Sequence, residues 1–351
     1  MRRIHILGAA GAGKSALGRN LAERIDAAHV DTDDVYWLPT NPPFRDKRPV
    51  AERIAMLREM LPAHDRIVLT GSLSGWGESV VALLNGIVLL DTPVAIRLER
   101  LSRRERERYG AAIDPAGPLH PQHTALLEWA AAYDGGTMPG RSRARDEAWI
   151  DATGLPALRL DGARGIPELV AQTCRWIALH TPETMLVEAS DDDFAALLRG
   201  EISLPGGLAV PPGGVDDPAV LTHVRAIAAR LRAAGYEHGH WLVVARGEVV
   251  GLIGFKDPPA NGEVEIGYGI AAARRRRGHA TRAVGLVLDA ARRDPAIRAV
   301  LAETDAVNHA SQRVLEQNGF VRDGTRFDAS EGEVFRWRAS HLALWSGTLE
   351  P

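Results

Sequence analysis

The sequence predicts two α/β domains in series: a parallel sheet with helices on both faces, then a mixed α/β domain with an antiparallel beginning. The chain has 351 residues, and a single core rarely grows beyond ~250–300 residues. Up to about residue 180, short apolar runs alternate with amphipathic helical stretches, which is typical of a parallel sheet. Later, Arg246-Gly247-Glu248 joins two apolar runs as a hairpin does. We therefore predict domains at residues 1–180 and 185–351, joined by a linker at 181–184.

Composition limits the classes of function. There are 42 basic and 45 acidic side chains, for a net charge of −3, so no nucleic-acid partner is expected. The single cysteine, Cys174, excludes an intramolecular disulfide and a cysteine-rich metal site. No stretch approaches the ~18 apolar residues of a membrane span. We expect a soluble cytoplasmic protein without a membrane partner.

The individual elements follow from hydrophobic periodicity. In the first half the predicted strands are residues 4–7, 67–69, 87–90 and 158–160, and the predicted helices are 15–25, 50–61, 94–108, 123–133 and 167–180. In the second half the predicted strands are 241–245, 249–255, 264–270 and 299–303, and the predicted helices are 191–198, 219–234 and 281–292.

A phosphate-binding loop follows the first predicted strand. Residues 8–15 read G-A-A-G-A-G-K-S and match G-x-x-x-x-G-K-[ST], between a buried strand and a helix. In such a loop, Lys14 reaches the β- and γ-phosphates of ATP, and the hydroxyl of Ser15 binds Mg²⁺. The alternative is a chance glycine-rich turn. The predicted nucleotide-binding residues are Gly8, Gly11, Ala12, Gly13, Lys14, Ser15 and Ala16.

Residues 29–37 end a further short strand, the second in chain order, in carboxylates at Asp31, Asp33 and Asp34. We predict a function for Asp33 and Asp34, in which Asp33 assists the metal beside Ser15 or binds the acceptor hydroxyl. The alternative is an acidic turn or a helix N-cap.

Arginines form two clusters in the first half of the chain. The first consists of Arg97, Arg100, Arg103, Arg104, Arg106 and Arg108, and the second of Arg141, Arg143 and Arg145. One interpretation is a solvated helix with ion pairs to interleaved glutamates. The other is a lid whose arginines neutralise the transferring phosphate. For this catalytic role we select Arg103, Arg104 and Arg141.

Residues 3–175 resemble the small adenylate-kinase-like P-loop proteins, particularly those called topology-modulation proteins. The resemblance rests on the phosphate loop, on residues 31–39, 71–77 and 97–109, and on Gly140-Arg141-Ser142. It implies the nucleoside-monophosphate-kinase fold, with ATP, Mg²⁺ and a small phosphate acceptor. Adenylate kinases carry an aspartate after the third strand, where this chain has Thr70-Gly71-Ser72. Asp91, directly after the apolar run at residues 87–90, is predicted to cap the next helix.

A second turn for an anion is predicted in the C-terminal half. Arg274-Arg275-Arg276-Arg277-Gly278-His279-Ala280 lies between a strand and a helix, so its backbone N–H groups could face a pyrophosphate. Four arginines could also form a nucleic-acid patch. Further on, residues 308–320 read N-x-x-S-x-x-V-L-x-x-x-G-F, which also describes an ordinary capped helix.

With residues 263–270, these two elements resemble the GNAT acetyltransferase superfamily over roughly residues 184–340. The closest resemblance is to members that modify ribosomal-protein termini or small amines. It implies acetyl-CoA, the acyl-CoA N-acyltransferase fold, and two strands that splay apart to admit the pantetheine arm. The implied cofactor-binding residues are Ile270, Arg275, Arg276, Arg277, Gly278, His279, Ala280, Asn308 and Ser311.

Acetyl transfer to an amine needs a base and a proton source for the leaving thiolate. Glu265 and Glu303 are candidate bases, and the alternative for each is an exposed strand glutamate. Many relatives have a tyrosine acid in the second helix, and this helix has none, so the acid is unassigned. The sequence thus predicts a bifunctional enzyme with a phosphate acceptor and an amine acceptor. The alternative is an acetyltransferase with a nucleotide-sensing domain.

Overall fold

The computed structural model describes residues 1–40, 45–137, 139–181, 183–236, 238–328 and 332–340. It divides into two compact units, Met1–Trp176 and Ile177–Pro351. The division falls shortly before the linker predicted at residues 181–184. None of the helices in the described residues is long and apolar enough to cross a membrane.

The first unit is built on a five-stranded parallel sheet, as predicted. Its strands are β1 (Arg3–Leu7), β2 (Ala28–Asp31), β3 (Ile67–Thr70), β4 (Gly86–Asp91) and β5 (Ala157–Asp161). The order across the sheet is β2-β3-β1-β4-β5. The carboxyl ends of β2, β3 and β4 therefore surround the end of β1, where the phosphate loop begins.

The helices of this unit are α1 (Lys14–Ile25), α2 (Thr32–Tyr36), α3 (Val50–Ala63), α4 (Val94–Tyr109), α5 (His120–Ala131), α6 (Arg143–Thr153) and α7 (Ile166–Leu179). The five predicted helices are confirmed with shifted ends. The sequence analysis missed α6, whose Ser142 N-cap accepts a hydrogen bond from the Arg145 amide.

Side chains alternate between two packed faces of this sheet. A Cβ on Gly18 of α1 would lie 2.2 Å from a methyl carbon of Thr70, so this helix packs tightly against β3. On the other face, Leu69 packs with Leu57 of α3 and Trp149 of α6. Helices thus cover both faces of the sheet, as the alternating pattern predicts.

The second unit is built on a seven-stranded mixed sheet in the order β11-β12-β10-β9-β8-β7-β6. Its strands are β6 (Met185–Glu188), β7 (His240–Ala245), β8 (Glu248–Phe255), β9 (Glu263–Ile270), β10 (Ala299–Asp305), β11 (Val321–Asp328) and β12 (Gly332–Ser340). All neighbouring strands are antiparallel except the pair β9 and β10. The predicted antiparallel beginning is confirmed.

Four helices in the described part of this unit are α8 (Asp191–Leu198), α9 (Pro218–Ala233), α10 (His279–Ala291) and α11 (His309–Gln317). Val284 and Val287 of α10 pack with Val300 of β10 in one core cluster. Phe194 of α8 and Leu242 of β7 belong to a second cluster. The sheet is thus buried by helices while the ends of β9 and β10 stay accessible.

The hairpin of β11 and β12 was not predicted. Residues 321–327 are exposed, so β11 lacks the alternation of apolar and polar side chains that marks a half-buried strand. Its position in the sheet follows from its pairing with β12.

We expect each unit to fold independently, because each has its own buried core. Since the boundary falls within α7, fragments 1–180 and 166–351 both keep this helix whole. Each fragment should unfold cooperatively in urea, monitored by circular dichroism. Failure of both fragments to show a cooperative transition would contradict two independent units.

Candidate functional sites

The phosphate loop of the first unit depends on left-handed backbone at three glycines. Gly8, Gly11 and Gly13 have φ of 147°, 77° and 103°. A Cβ on Gly8 would lie 2.4 Å from the carbonyl oxygen of Leu90, and a Cβ on Gly11 would lie 2.5 Å from that of Arg97. Only glycine therefore allows this loop to curl against β4 and α4.

The reactive side chains of the loop are already oriented. Lys14 Nζ donates to the Ala9 carbonyl at 2.8 Å. Burial, and then the charge of Arg141, lowers the pKa of Lys14 to about 7. The Ser15 hydroxyl donates to Asp31 Oδ2 at 2.7 Å.

The predicted acid Asp33 has a different environment from its neighbour Asp31. Burial, and then the nearby charge of Asp31, raises the pKa of Asp33, while Lys14 lowers it. Asp31 Oδ1 accepts the Asp33 amide at 3.1 Å and so caps α2. The carboxylate that contacts Ser15 is therefore Asp31, which the sequence analysis did not select. Its position as the last residue of β2 was the available signal.

The end of β3 lies beside β1 and carries Thr70-Gly71-Ser72. Gly71 has φ of 116°, and a Cβ there would lie 1.8 Å from Thr32 Oγ1. The same hydroxyl accepts the Ser72 amide at 3.1 Å. This strand end is thus closed onto α2 and contributes no carboxylate.

The prediction that Asp91 caps α4 is wrong. Pro93 occupies the N-cap position, and no side chain caps it. Asp91 forms an ion pair with Arg143 through two hydrogen bonds. Asp91 lies at the end of β4, where a cation from the start of α6 can reach it.

Of the three selected arginines, Arg141 contacts the phosphate loop, and Arg104 pairs with Glu105 at 3.3 Å. Arg141 donates to the Gly8 carbonyl at 2.8 Å and to Asp146 Oδ2 at 2.8 Å. The charge of Arg104 lowers the pKa of Asp33. Arg103 instead points outward, with 68% of its side chain exposed, and pairs with Glu107 on the same helix.

The structure also brings arginines to the loop that were not selected. Arg100 Nη1 donates to the Ala12 carbonyl at 2.9 Å. Arg97 is fully buried and pairs with Asp134 at 2.6 Å, so its role is structural. Arg97, Arg100 and Arg104 follow the helical spacing of one face, which is the signal that distinguishes them from Arg103.

In the second unit, β9 and β10 separate at the predicted place. Their parallel register runs from the Glu263–Ala299 pair to the Ile266–Ala302 pair, and it ends there. Both strands continue beyond it, to Ile270 and Asp305. A gap therefore opens within the sheet, as the resemblance implied.

The turn after β9 combines two left-handed residues with a helix start. Arg276 has φ of 61° and Gly278 of 77°, and α10 begins at His279 without an acidic residue in its first turn. Successive amides in such a turn form a concave site for an anion, and the helix N-terminus favours negative charge. His279 is fixed by a 2.9 Å hydrogen bond with Thr184, and burial lowers its pKa. Ala280 follows in the first turn.

The four consecutive arginines do not act together. Arg274 forms a two-bond ion pair with Glu248, at 2.5 and 2.7 Å. Arg275 donates to the Ile270 carbonyl at 3.0 Å, which ties the turn to the end of β9. Arg277 lowers the pKa of His279 through its charge. Much of this arginine run therefore shapes the turn.

The start of α11 reaches across the gap. Asn308 caps this helix by accepting the Ser311 amide at 3.1 Å. The Ser311 hydroxyl shares a 2.7 Å hydrogen bond with the phenol of Tyr268 on β9. Burial raises the pKa of Tyr268. A tyrosine was expected on the helix, whereas the tyrosine at this site lies on the facing strand.

Comparisons with known proteins agree with this geometry. Residues 185–321 match the sequence profile described as an acetyltransferase (GNAT) domain. Residues 4–114 match the profile described as an AAA domain. This chain joins a P-loop domain of the AAA type to a GNAT acetyltransferase domain.

Three relatives match parts of the chain. It is 37% identical over 177 residues to the uncharacterized protein YqaC of Bacillus subtilis. The aligned residues make up 50% of this chain and 98% of YqaC. It is 32% identical to the uncharacterized N-acetyltransferase YjdG of the same organism, over 23% of this chain and 50% of YjdG. It is 33% identical to the shikimate kinase of Thermosynechococcus vestitus, over 30% of this chain and 62% of that enzyme.

The candidate bases of the GNAT domain lie where β9 and β10 separate. Glu303, just past the last paired residue of β10, forms two hydrogen bonds with Arg326 at 2.9 and 2.7 Å. This ion pair lowers the pKa of Glu303 and makes it a weak base. Glu265 of β9 is contacted by the Lys256 ammonium.

Lys14 should lower the stability of the nucleotide-free P-loop domain. Its pKa is about 7 in the folded chain, against an ordinary 10.5. Between these values the unfolded chain holds a proton that the folded chain releases, so unfolding becomes more favourable as the pH falls from 10.5 to 7. Lys14→Met should therefore stabilise the domain at pH 7 by on the order of 1 kcal/mol, allowing for partial exposure.

The measurement is thermal unfolding without nucleotide at pH 7 to 10. The gain in Lys14→Met should shrink as the pH rises, and Lys47→Met, at an exposed lysine, should show no such trend. A lower melting temperature for Lys14→Met at pH 7 would contradict the account.

The left-handed backbone at Gly278 should control acetyl-CoA binding. A Cβ there would meet no atom within 4 Å, so strain, and not lack of space, opposes a side chain. Valine is strained in this conformation, whereas asparagine tolerates it. Gly278→Val should weaken acetyl-CoA binding by about tenfold or more, and Gly278→Asn by only a few-fold.

Calorimetric titration of acetyl-CoA measures both affinities. Gly235→Val is a matched control, since Gly235 also has positive φ and open surroundings. Equal losses in Gly278→Asn and Gly278→Val would show that bulk matters and not backbone conformation.

Proposed function

We propose that the GNAT domain transfers an acetyl group from acetyl-CoA to an amine. The observation that carries this proposal is the separation of β9 and β10 beside the turn of Arg276 and Gly278. A pyrophosphate fits the amides of that turn and the start of α10. The pantetheine arm fits the gap between the strands, with Ser311 at its wall.

In the proposed reaction, the amine nitrogen attacks the thioester carbonyl and the carbon–sulfur bond breaks. The amine loses a proton to a base, and the thiolate gains one from an acid. Glu265 is the proposed base, and like Glu303, which pairs with Arg326, it is contacted by a cation, in its case the Lys256 ammonium. Glu265 would act on the ammonium through a water molecule.

Tyr268 is the proposed proton donor to the thiolate. It lies on β9 beyond the last residue that pairs with β10, and its phenol is hydrogen-bonded to Ser311 across the gap. Burial raises its pKa, so the phenol keeps its proton over the neutral range. Ser311 orients the phenol.

Tyr268→Phe should bind acetyl-CoA within a few-fold of the parent but lose about a hundredfold in turnover. With an amine found by screening, release of the CoA thiol measures the rate across pH 6 to 10. Because burial raises the pKa of Tyr268 above the ordinary value of 10, its phenol stays protonated in this window, and the parent rate should not fall towards pH 10 through loss of this proton. Tyr236→Phe is the matched control. An unchanged rate in Tyr268→Phe would refute the assignment.

For the P-loop domain, we propose Mg·ATP binding and phosphoryl transfer to a small acceptor. Ser15 and Asp31 offer two adjacent oxygens of the kind that Mg²⁺ prefers, so these two residues would hold the ion beside the phosphate loop. Bound Mg²⁺ would neutralise charge on the phosphates. Lys14, Arg104 and Arg141 supply further positive charge, and Asp33, with its raised pKa, is the proposed acceptor ligand.

The second candidate for this domain is a nucleotide sensor. The observation that favours it is the end of β3, where Gly71 and Ser72 are closed onto Thr32 and no carboxylate is present. Product analysis with a panel of hydroxyl acceptors separates the two functions. A kinase converts ATP and acceptor into ADP and a phosphorylated product, and a sensor binds ATP without consuming it.

Asp31→Asn should weaken ATP binding only in the presence of Mg²⁺. Asparagine keeps the oxygen that caps α2 but removes the negative charge next to Ser15, so we expect a loss of about tenfold in the Mg²⁺-dependent part of the affinity. Calorimetry with Mg²⁺ and with EDTA measures this difference. Asp34→Asn should bind as the parent does. An equal Mg²⁺ effect in Asp31→Asn and the parent would place the metal elsewhere.

A further inference from the structure

A small pocket adjoins the point where β9 and β10 separate. Its volume is about 120 Å³. Ala302, from the last paired position of β10, lines it together with Glu265 and Glu303. Leu301 of β10 and the hairpin of β11 and β12 form the remaining walls. The pocket therefore lies beside the proposed base and next to the gap for the pantetheine arm.

Most charges of this pocket are paired within the protein. Glu265 pairs with Lys256, and Glu303 pairs with Arg326. Such contacts neutralise these four side chains locally and leave them little capacity for a further charged partner.

Two charged side chains of the pocket differ from the rest. Within the described residues, the side chains of Arg336 and Asp323 form no hydrogen bond or ion pair, and Arg336 acts on Glu303 only through its charge, which adds to the effect of Arg326 in lowering the pKa of Glu303. Arg336 lies directly opposite Glu303 in the register of β10 and β12, so the two side chains share one face of the sheet. Asp323 lies where the register of β11 and β12 shifts, between Arg322 and Thr325. An irregularity of this kind redirects a side chain, and it is frequent next to active sites.

A guanidinium without a hydrogen-bond partner is an unexpected lining group for a pocket that binds an amine. An amine acceptor arrives mostly as an ammonium ion, and Arg336 would repel it at short range. The repulsion is offset if the acceptor brings its own negative charge. A planar guanidinium binds a carboxylate or phosphate through paired hydrogen bonds.

We infer that the acetyl acceptor is an amine that also carries an anionic group, with Arg336 binding the anion and Asp323 attracting the ammonium. The inference rests on the proposed acetyl transfer and adds the class of its acceptor. A carboxylate and a phosphate share the required chemistry. The bond changes are those of the transfer itself, and Arg336 serves recognition without exchanging a proton.

The experiment compares acceptors that differ only in the anion. One pair is ethanolamine and O-phosphoethanolamine, and the other is Ser-Asn and Ser-Asp dipeptides with amidated C-termini. Release of the CoA thiol is measured for the full chain, for Arg336→Gln and for Arg298→Gln. Arg298 precedes β10 at the opposite end from the pocket and bonds the Asn261 carbonyl, so it is a matched control.

The parent and Arg298→Gln should prefer the anionic member of at least one pair by about tenfold or more in kcat/KM. The pair that shows the preference identifies the anion as phosphate or carboxylate. Arg336→Gln should lose most of this preference through a higher KM for the anionic acceptor.

Three results would overturn the inference while acetyl-CoA still binds. The first is a preference for the uncharged members. The second is an equal loss for both members in Arg336→Gln, which would mean that the arginine acts on the amine. The third is no turnover of either anionic amine. Failure to bind acetyl-CoA would instead refute the proposed acetyl transfer itself.

Discussion

Left-handed backbone at the start of a helix is the constraint on which both domains depend. In the P-loop domain, Gly8, Gly11 and Gly13 turn the chain between β1 and α1. In the GNAT domain, Arg276 and Gly278 do so before α10. Each turn leaves amides at a helix N-terminus without partners in the helix, and these are suited to an anion. In the functions proposed here, both turns hold a nucleotide phosphate, on unrelated sheets.

The charges around the two turns differ, and this difference fits the chemistry proposed for each. In the P-loop domain, burial, and then the charge of Arg141, lowers the pKa of Lys14 to about 7. A bound phosphate would stabilise the charged ammonium, so the proposed ligand would restore stability that the empty domain lacks. In the GNAT domain, the arginine run is largely bonded to the protein, through Glu248 and the Ile270 carbonyl. There the backbone is the proposed anion-binding element.

Sequence reasoning located the turns but not every side chain around them. Glycine spacing reports backbone conformation directly, which is why residues 8–15 and Gly278 could be identified. The partner of Ser15 depends on how β2 ends beside α1, so Asp33 was selected although Asp31 makes the contact. Tyr268 was missed because its partner Ser311 lies on a different element. The exposed strand β11 has no periodic pattern, so the walls of the acceptor pocket could not be predicted.

The central claim is that each domain binds its own nucleotide at its own backbone turn. Amide hydrogen exchange, read by mass spectrometry on the intact chain, tests it most directly, because a bound anion protects the amides that contact it. Mg·ATP should protect peptides covering residues 8–16 and leave those covering residues 274–282 unchanged. Acetyl-CoA should do the reverse. Protection by either ligand at the other turn, or at neither, would contradict the account.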